Sequence, residues 1–243
     1  MVASADADAA ARRVTPEAVL FDLDGVLLDS RVAIVRCVEH GLRAHGVPVP
    51  GDLEWCIGPP LIDAFAQLAG PELADACLAS YRERYVTSSL EETTVVPGAP
   101  EALAAVAARV PVAVATSKPR AFAEPLCERL GLARYLRAIA GPALDAPEEV
   151  KAVTVARALA ALGLGRGADA TLVGDRRHDV EAARANGIAC VGVLWGIGDE
   201  AELRAAGADA IVASPRELPA ALRVVRRRGG TNVGPRARTN FEL

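Results

Sequence analysis

Six short apolar runs recur along this chain, at 18–21, 110–115, 138–140, 171–173, 188–193 and 210–212. They are rich in Val, Ile, Leu and Ala, as strands buried on both faces tend to be. The longer segments at 100–109, 121–130, 148–162, 179–186, 200–206 and 215–225 have helical character. Such alternation predicts an α/β fold with a Rossmann-like parallel sheet core and helices on both faces. At 243 residues, 51% of them hydrophobic, the chain can bury that core and still carry a smaller inserted unit. No repeat of fixed period is visible.

One stretch breaks the alternation. From 30 to 92 the sequence has Ala/Leu/Arg-rich helical pieces and no convincing strand. Turn signals interrupt it at Gly46-Val47-Pro48-Val49-Pro50-Gly51, Gly58-Pro59-Pro60 and Gly70-Pro71. An insertion directly after the first strand predicts a small α-helical cap over the strand ends, where open α/β sheets bind ligands. The expected division is a disordered tail over 1–15, a core of 16–29 and 93–225, the cap over 30–92, and a basic flexible tail over 226–243. That last tail reads as solvated, with a site for an anionic partner as the alternative.

The first strand runs Ala18-Val19-Leu20-Phe21 and delivers Asp22 and Asp24 at its end, with Gly25 opening the turn. Acids at i and i+2 on extended backbone point the same way and repel unless a cation or a shared proton compensates. This suits Mg2+, which takes oxygen ligands and keeps room for substrate phosphate. It equally suits a nucleophile paired with a general acid/base. A lone Asp-x-Asp-Gly more often ends a strand in a polar turn, so the other strand ends have to decide. The second strand runs into Thr116-Ser117-Lys118-Pro119, where hydroxyls and a helix start could cradle phosphate or simply cap the helix. A later one runs into Gly174-Asp175-Arg176-Arg177-His178-Asp179, adding two acids at the same sheet edge. Four acids gathered there are hard to explain without a divalent cation. An EF-hand is excluded: with Asp22 first, Leu27 falls where glycine is required and Ala33 where glutamate is.

Lysine usage adds support. The 27 basic residues include only two lysines, Lys118 after the Thr-Ser turn and Lys151 near a helix start. A compact ammonium fits between phosphate and carboxylate where the wide guanidinium fork fits poorly. A net charge of −4 argues against a nucleic-acid polymer as partner. Five scattered cysteines (Cys37, Cys56, Cys77, Cys127, Cys190) without a C-x-x-C read as reduced, mostly buried thiols of a cytoplasmic protein. No apolar stretch has the length to span a membrane, and the first fifteen residues lack the apolar run of a signal peptide. His40 and His45 lack partners in the pattern, and Trp55 and Trp195 read as packing residues, Trp55 with a possible substrate contact.

Together these residues resemble the haloacid-dehalogenase-like (HAD) hydrolase superfamily over about 18–218. Asp22-Leu23-Asp24-Gly25-Val26-Leu27-Leu28-Asp29-Ser30 is similar to its first motif, Thr116-Ser117 to the second, Lys151 to the third, and the Gly174–Asp179 segment to the fourth. The insertion lies where that superfamily places its four-helix type of cap. Within it, the chain resembles phosphoglycolate-phosphatase-like and 5′-nucleotidase-like members through Ile57-Gly58-Pro59-Pro60-Leu61, Val96-Pro97-Gly98-Ala99, Ala115-Thr116-Ser117-Lys118-Pro119 and Gly192-Val193-Leu194-Trp195-Gly196-Ile197-Gly198.

The resemblance implies a Mg2+-dependent phosphatase acting on a small phosphorylated metabolite such as phosphoglycolate, a nucleoside monophosphate or a sugar phosphate. It implies Asp22 as nucleophile, Asp24 as acid/base, and Thr116 and Lys151 as further catalytic groups. Phosphate would be held by Gly25, Thr116, Ser117, Lys118 and Lys151. Mg2+ would be held by Asp22, Asp175 and the Asp24 backbone carbonyl, with Asp179 in support. An acid at Asp24 favours phosphate-ester hydrolysis over dehalogenation. Two features depart from the family pattern: Gly141-Pro142 after the third core strand, and Pro147-Glu148-Glu149-Val150 before Lys151. In the cap, Ile62-Asp63 follow the Gly-Pro-Pro-Leu turn where a basic residue is common, which weakens the case for a strongly anionic substrate. A phosphomutase of the β-phosphoglucomutase type is the runner-up, and a non-catalytic binding protein on the same fold the third reading. The expected state is monomer or homodimer.

Overall fold

The computed structural model describes residues 15–146 and 149–225. The two expected tails therefore fall outside the described residues, except for Thr15. Six parallel strands form the sheet: β1 (Ala18–Phe21), β4 (Val112–Ala115), β5 (Ala138–Ala140), β6 (Ala170–Gly174), β7 (Ala189–Val193) and β8 (Ala210–Val212). Their order is β5-β4-β1-β6-β7-β8. The chain builds outward on one side of β1 and then on the other, so β1 is central and its carboxyl end marks the topological switch where such sheets bind ligands.

Burial follows the two-residue period of the strands. Val19 and Phe21 join a core with Leu103, Val106, Leu126 and Leu218, from helices α4 (Ala99–Ala107), α5 (Arg120–Arg129) and α9 (Leu218–Ala221). Ala18 and Leu20 join the opposite core with Val155, Leu159, Val180 and Leu203, from α6 (Lys151–Ala161), α7 (Arg177–Asn186) and α8 (Glu200–Ala206). Helices on both faces explain why every residue of β1, β4, β6 and β7 is buried.

The cap is α1 (Arg31–Ala44), a 3-10 turn at Glu54–Cys56, α2 (Leu61–Ala69) and α3 (Pro71–Glu92). Among the described residues it is thus three α-helices and one short turn, where the resemblance implied four helices. It has its own core, including Val38, Leu42, Phe65, Leu78, Tyr81 and Tyr85. Trp55 packs at the edge of that core. A short antiparallel pair, β2 (Leu28–Asp29) with β3 (Thr94–Val95), ties together the two chain crossings between core and cap.

Two expected elements differ in shape. The helix expected over 148–162 begins at Lys151, because Val150 is extended with φ −72° and ψ 144°. The one expected over 215–225 is a 3-10 turn at Pro215–Glu217 and a single turn at Leu218–Ala221. Pro215 and Pro219 cannot donate backbone hydrogen bonds, so a continuous helix does not form there.

Candidate active site

The carboxyl ends of β1, β4 and β6 deliver three sets of side chains to one place beneath the cap. From β1 come Asp22, 3% exposed, and Asp24; from β4 come Thr116, Ser117 and Lys118; from β6 and the start of α7 come Asp175 and Asp179. Lys151, the first residue of α6, reaches in from below and is itself buried. Its Nζ lies 2.6 Å from Asp22 Oδ2 and 2.6 Å from Asp179 Oδ1. Just before it, Glu149 accepts from Thr154 Oγ1 at 3.1 Å and pairs with Arg157 at 2.6 Å.

Asp22, Asp175 and Asp179 each place a carboxylate oxygen within 4.8 Å of the others. With all three ionised, one ammonium would leave two buried negative charges uncompensated. Burial pushes Asp22 up to about 6; Lys151 opposes this, and Asp179 and Asp24 add to it. Burial likewise pushes Asp175 up to about 8, helped by the charges of Asp179 and Asp22. Burial works against the Lys151 ammonium, yet Asp179 and Asp22 outweigh it and hold its pKa above the usual lysine value. Asp22 Oδ1 and Asp175 Oδ1 are buried without a hydrogen-bond partner among the described residues. Three converging carboxylates that one ammonium cannot offset fit a hard divalent cation such as Mg2+.

Backbone shape makes the cluster possible. Gly25 has φ +82°, and a Cβ built on it would stand 2.3 Å from Asp175 Oδ2. A Cβ on Gly196 would meet the same carboxyl group at 2.3 Å. Two glycines therefore let one acid be gripped from both sides. The neighbouring Ile197 N–H donates to Asp175 Oδ2 at 2.7 Å. The loop carrying Gly196 is anchored by Trp195, whose indole N–H donates to the Val26 carbonyl at 3.1 Å. Arg31 holds it from the cap side, donating to the Gly196 carbonyl at 3.0 Å. The Gly25 N–H donates to the Leu28 carbonyl at 2.8 Å, which fixes the turn after Asp24.

Asp24 stands apart from the acidic trio. Its Oδ2 pairs with Lys118 Nζ at 3.0 Å, and its carboxylate is not among the three that converge. Lys118 is buried, donates to the Tyr85 hydroxyl from α3, and lies 4.7 Å from the centre of that ring. Burial would lower its pKa, but Asp24 and Tyr85 more than reverse this and keep it charged. The Thr116 hydroxyl accepts the Lys118 N–H at 3.1 Å, fixing the turn between them. Asp22, Asp24, Thr116, Ser117 and Lys118 all line one open cavity between core and cap.

Two participants escaped the sequence reading. Tyr85 is 1% exposed and stacked 5.2 Å from Tyr81, so only its position one helical turn on from another tyrosine hinted at a buried pair. Arg176 donates to the Ile57 carbonyl of the cap, pairs with Glu202 at 3.0 Å, and gives its N–H to Asp179 Oδ2 at 3.0 Å. It thereby joins the acidic cluster to the cap. His178 is half-buried beside Glu181 at 3.7 Å and stays outside the trio.

Residues 19–193 match the family model described as haloacid dehalogenase-like hydrolase. The chain belongs to that family. It is 41% identical over 192 residues to a 5′-nucleotidase of Pseudomonas aeruginosa, covering 77% of this chain and 86% of that one. It is 37% identical over 187 residues to the tyrosine-protein kinase PtkA of Mycobacterium tuberculosis, covering 76% of this chain but 64% of PtkA. Its fold superposes on the crystal structure of a predicted phosphatase from Clostridium acetobutylicum with a TM-score of 0.80, at 33% identity over 85% of this chain and 98% of that one. This HAD-like protein is a phosphoric monoester hydrolase.

Proposed function

We propose that this hydrolase is a Mg2+-dependent phosphatase that cleaves a small phosphorylated metabolite through an aspartyl-phosphate on Asp22. The observation that carries the proposal is the state of Asp22. One of its oxygens is held by Lys151 at 2.6 Å, the other is buried without a partner among the described residues, and the residue lines the cavity. A carboxylate fixed by one oxygen and free at the other is set to attack in line.

In the first step an Asp22 oxygen bonds to phosphorus, the ester P–O bond breaks, and its electron pair goes to the leaving oxygen. That oxygen takes a proton from Asp24. In the second step Asp24 takes a proton from water, the water oxygen bonds to phosphorus, and the bond to Asp22 breaks to return the carboxylate. Lys118 beside Asp24 suits the second step, where Asp24 is the base. Thr116, Ser117 and Lys151 support the charge of the transferring group. Mg2+ held by Asp22, Asp175 and Asp179, with the Asp24 carbonyl, would supply neutralisation of the charge that Lys151 alone leaves over.

Besides Lys118, Arg82 is the only cation among the described lining residues, which gives little grip for a second phosphate and disfavours the mutase. Five free, buried cysteines support a reducing, cytoplasmic setting. Phosphate release from nucleotides, sugar phosphates, phosphoglycolate and phosphotyrosine tests the proposal directly. Release with Mg2+ that stops with EDTA is expected; release insensitive to EDTA, or none, refutes it.

A further inference from the structure

The cap wall of the cavity constrains what leaves with the alcohol. Its polar groups lie on the core side, in Asp22, Asp24, Thr116, Ser117 and Lys118. The remaining surface comes mainly from side chains such as Pro59, Pro60, Ile62, Leu78, Tyr81 and Phe122. No amide, carboxylate, lysine, histidine, serine or threonine side chain from the cap lines it. The Tyr85 hydroxyl accepts from Lys118 and keeps its own proton to donate. With the Tyr81 hydroxyl and the Arg82 guanidinium, which has no hydrogen bond or ion pair among the described residues, it makes up the cap's short polar inventory here.

A polyhydroxylated leaving group closed inside this wall would strand most of its hydroxyls away from water without partners. A two-carbon acid has too little apolar surface to cover those proline and aromatic faces. Proline faces and aromatic rings instead offer flat apolar surface, and flat rings pack well against both. Resting on the phosphatase reading, we infer that the preferred substrate is a phosphate monoester of a flat, largely apolar alcohol bearing an aromatic ring. Arg82 gives that ring room for one acceptor substituent at the cap side.

The test compares kcat/KM of the Mg2+-loaded protein on 2-phenylethyl phosphate, ribose 5-phosphate and phosphoglycolate, with acetyl phosphate as control. The first two esters release primary alcohols of similar reactivity, so their ratio reports binding and not leaving-group chemistry. Acetyl phosphate is a small activated donor that needs nothing from the cap wall. A preference for 2-phenylethyl phosphate over both other esters of at least about a hundredfold, chiefly in KM, is expected. Hydrolysis of acetyl phosphate with ribose 5-phosphate or phosphoglycolate equal to or better than the aromatic ester overturns the inference and leaves the phosphatase reading standing. Failure to hydrolyse even acetyl phosphate overturns both. Ile62→Gln and Leu61→Gln, at half-buried positions the fold can tolerate, should each lower the aromatic preference at least threefold. An unchanged ratio in both variants also overturns the inference.

Discussion

Replacing Asp175 by asparagine should make the metal-free protein more stable while removing its response to Mg2+. Asp175 is raised from 3.8 to about 8 in the folded protein, first by burial and then by the charges of Asp179 and Asp22. An acid whose folded pKa is raised contributes stability at low pH that is lost as pH rises through the folded value. The metal-free protein should therefore weaken steadily between about pH 4 and pH 8. A tenfold change in proton affinity corresponds to about 1.4 kcal/mol, so by pH 7 holding this carboxyl group in its buried place costs up to about 4 kcal/mol. Asparagine keeps an acceptor for the Ile197 N–H and carries no charge. Allowing for sharing of the strain with Asp22, we expect Asp175→Asn to gain about 2–4 kcal/mol at pH 7 in EDTA. At about 2–4 °C per kcal/mol, Tm should rise by about 5–15 °C. Adding Mg2+ at a hundred times its Kd should stabilise the wild type by about 2.7 kcal/mol and leave the variant unmoved. Thermal melts at pH 5 to 8, with EDTA and with Mg2+, read all of this. A variant that melts below the wild type in EDTA, or that gains as much from Mg2+, would refute the charge-repulsion argument.

Three further outcomes follow from single contacts. Gly25→Ala should abolish Mg2+-dependent activity and stabilisation, because its Cβ would fall 2.3 Å from Asp175 Oδ2 at a φ of +82°; activity measured across a Mg2+ titration checks this, and wild-type metal affinity would count against it. Tyr85→Phe should cost about 1–3 kcal/mol in chemical denaturation, since a buried ammonium loses one of its two polar partners. Lys151→Met should destabilise the metal-free protein by about 3–5 kcal/mol at pH 8. That loss should shrink at pH 5, where Asp22 and Asp175 take up protons; a pH-independent loss would show that the ammonium matters only for packing.

The strand ends were legible because chemistry and topology coincide there. A residue type costly to bury, repeated at the ends of apolar runs, marks Asp22, Asp24, Asp175 and Asp179 before any coordinates are known. Lys118 and Lys151 stood out for a similar reason, as the only two lysines in an arginine-rich chain. The sequence could not show that these two lysines divide the acids between them, Lys151 with Asp22 and Asp179, Lys118 with Asp24. That division depends on sheet order, and order is set by packing between distant segments. The β2–β3 pair is two residues per strand, too short for a periodic signal, and it forms only because both cap crossings pass the same point. Tyr85 was invisible as a site residue because its partner is 33 positions away, on the far side of a domain crossing.

If Asp22 is the nucleophile, it must itself become phosphorylated. The most direct measurement is rapid acid quench of the Mg2+-loaded protein during turnover of a substrate it hydrolyses, followed by peptide mass spectrometry. One phosphoryl group is expected on the peptide carrying Asp22, and none in Asp22→Asn. Turnover in the Asp22→Asn variant, or a phosphoryl group found on another residue, would contradict it.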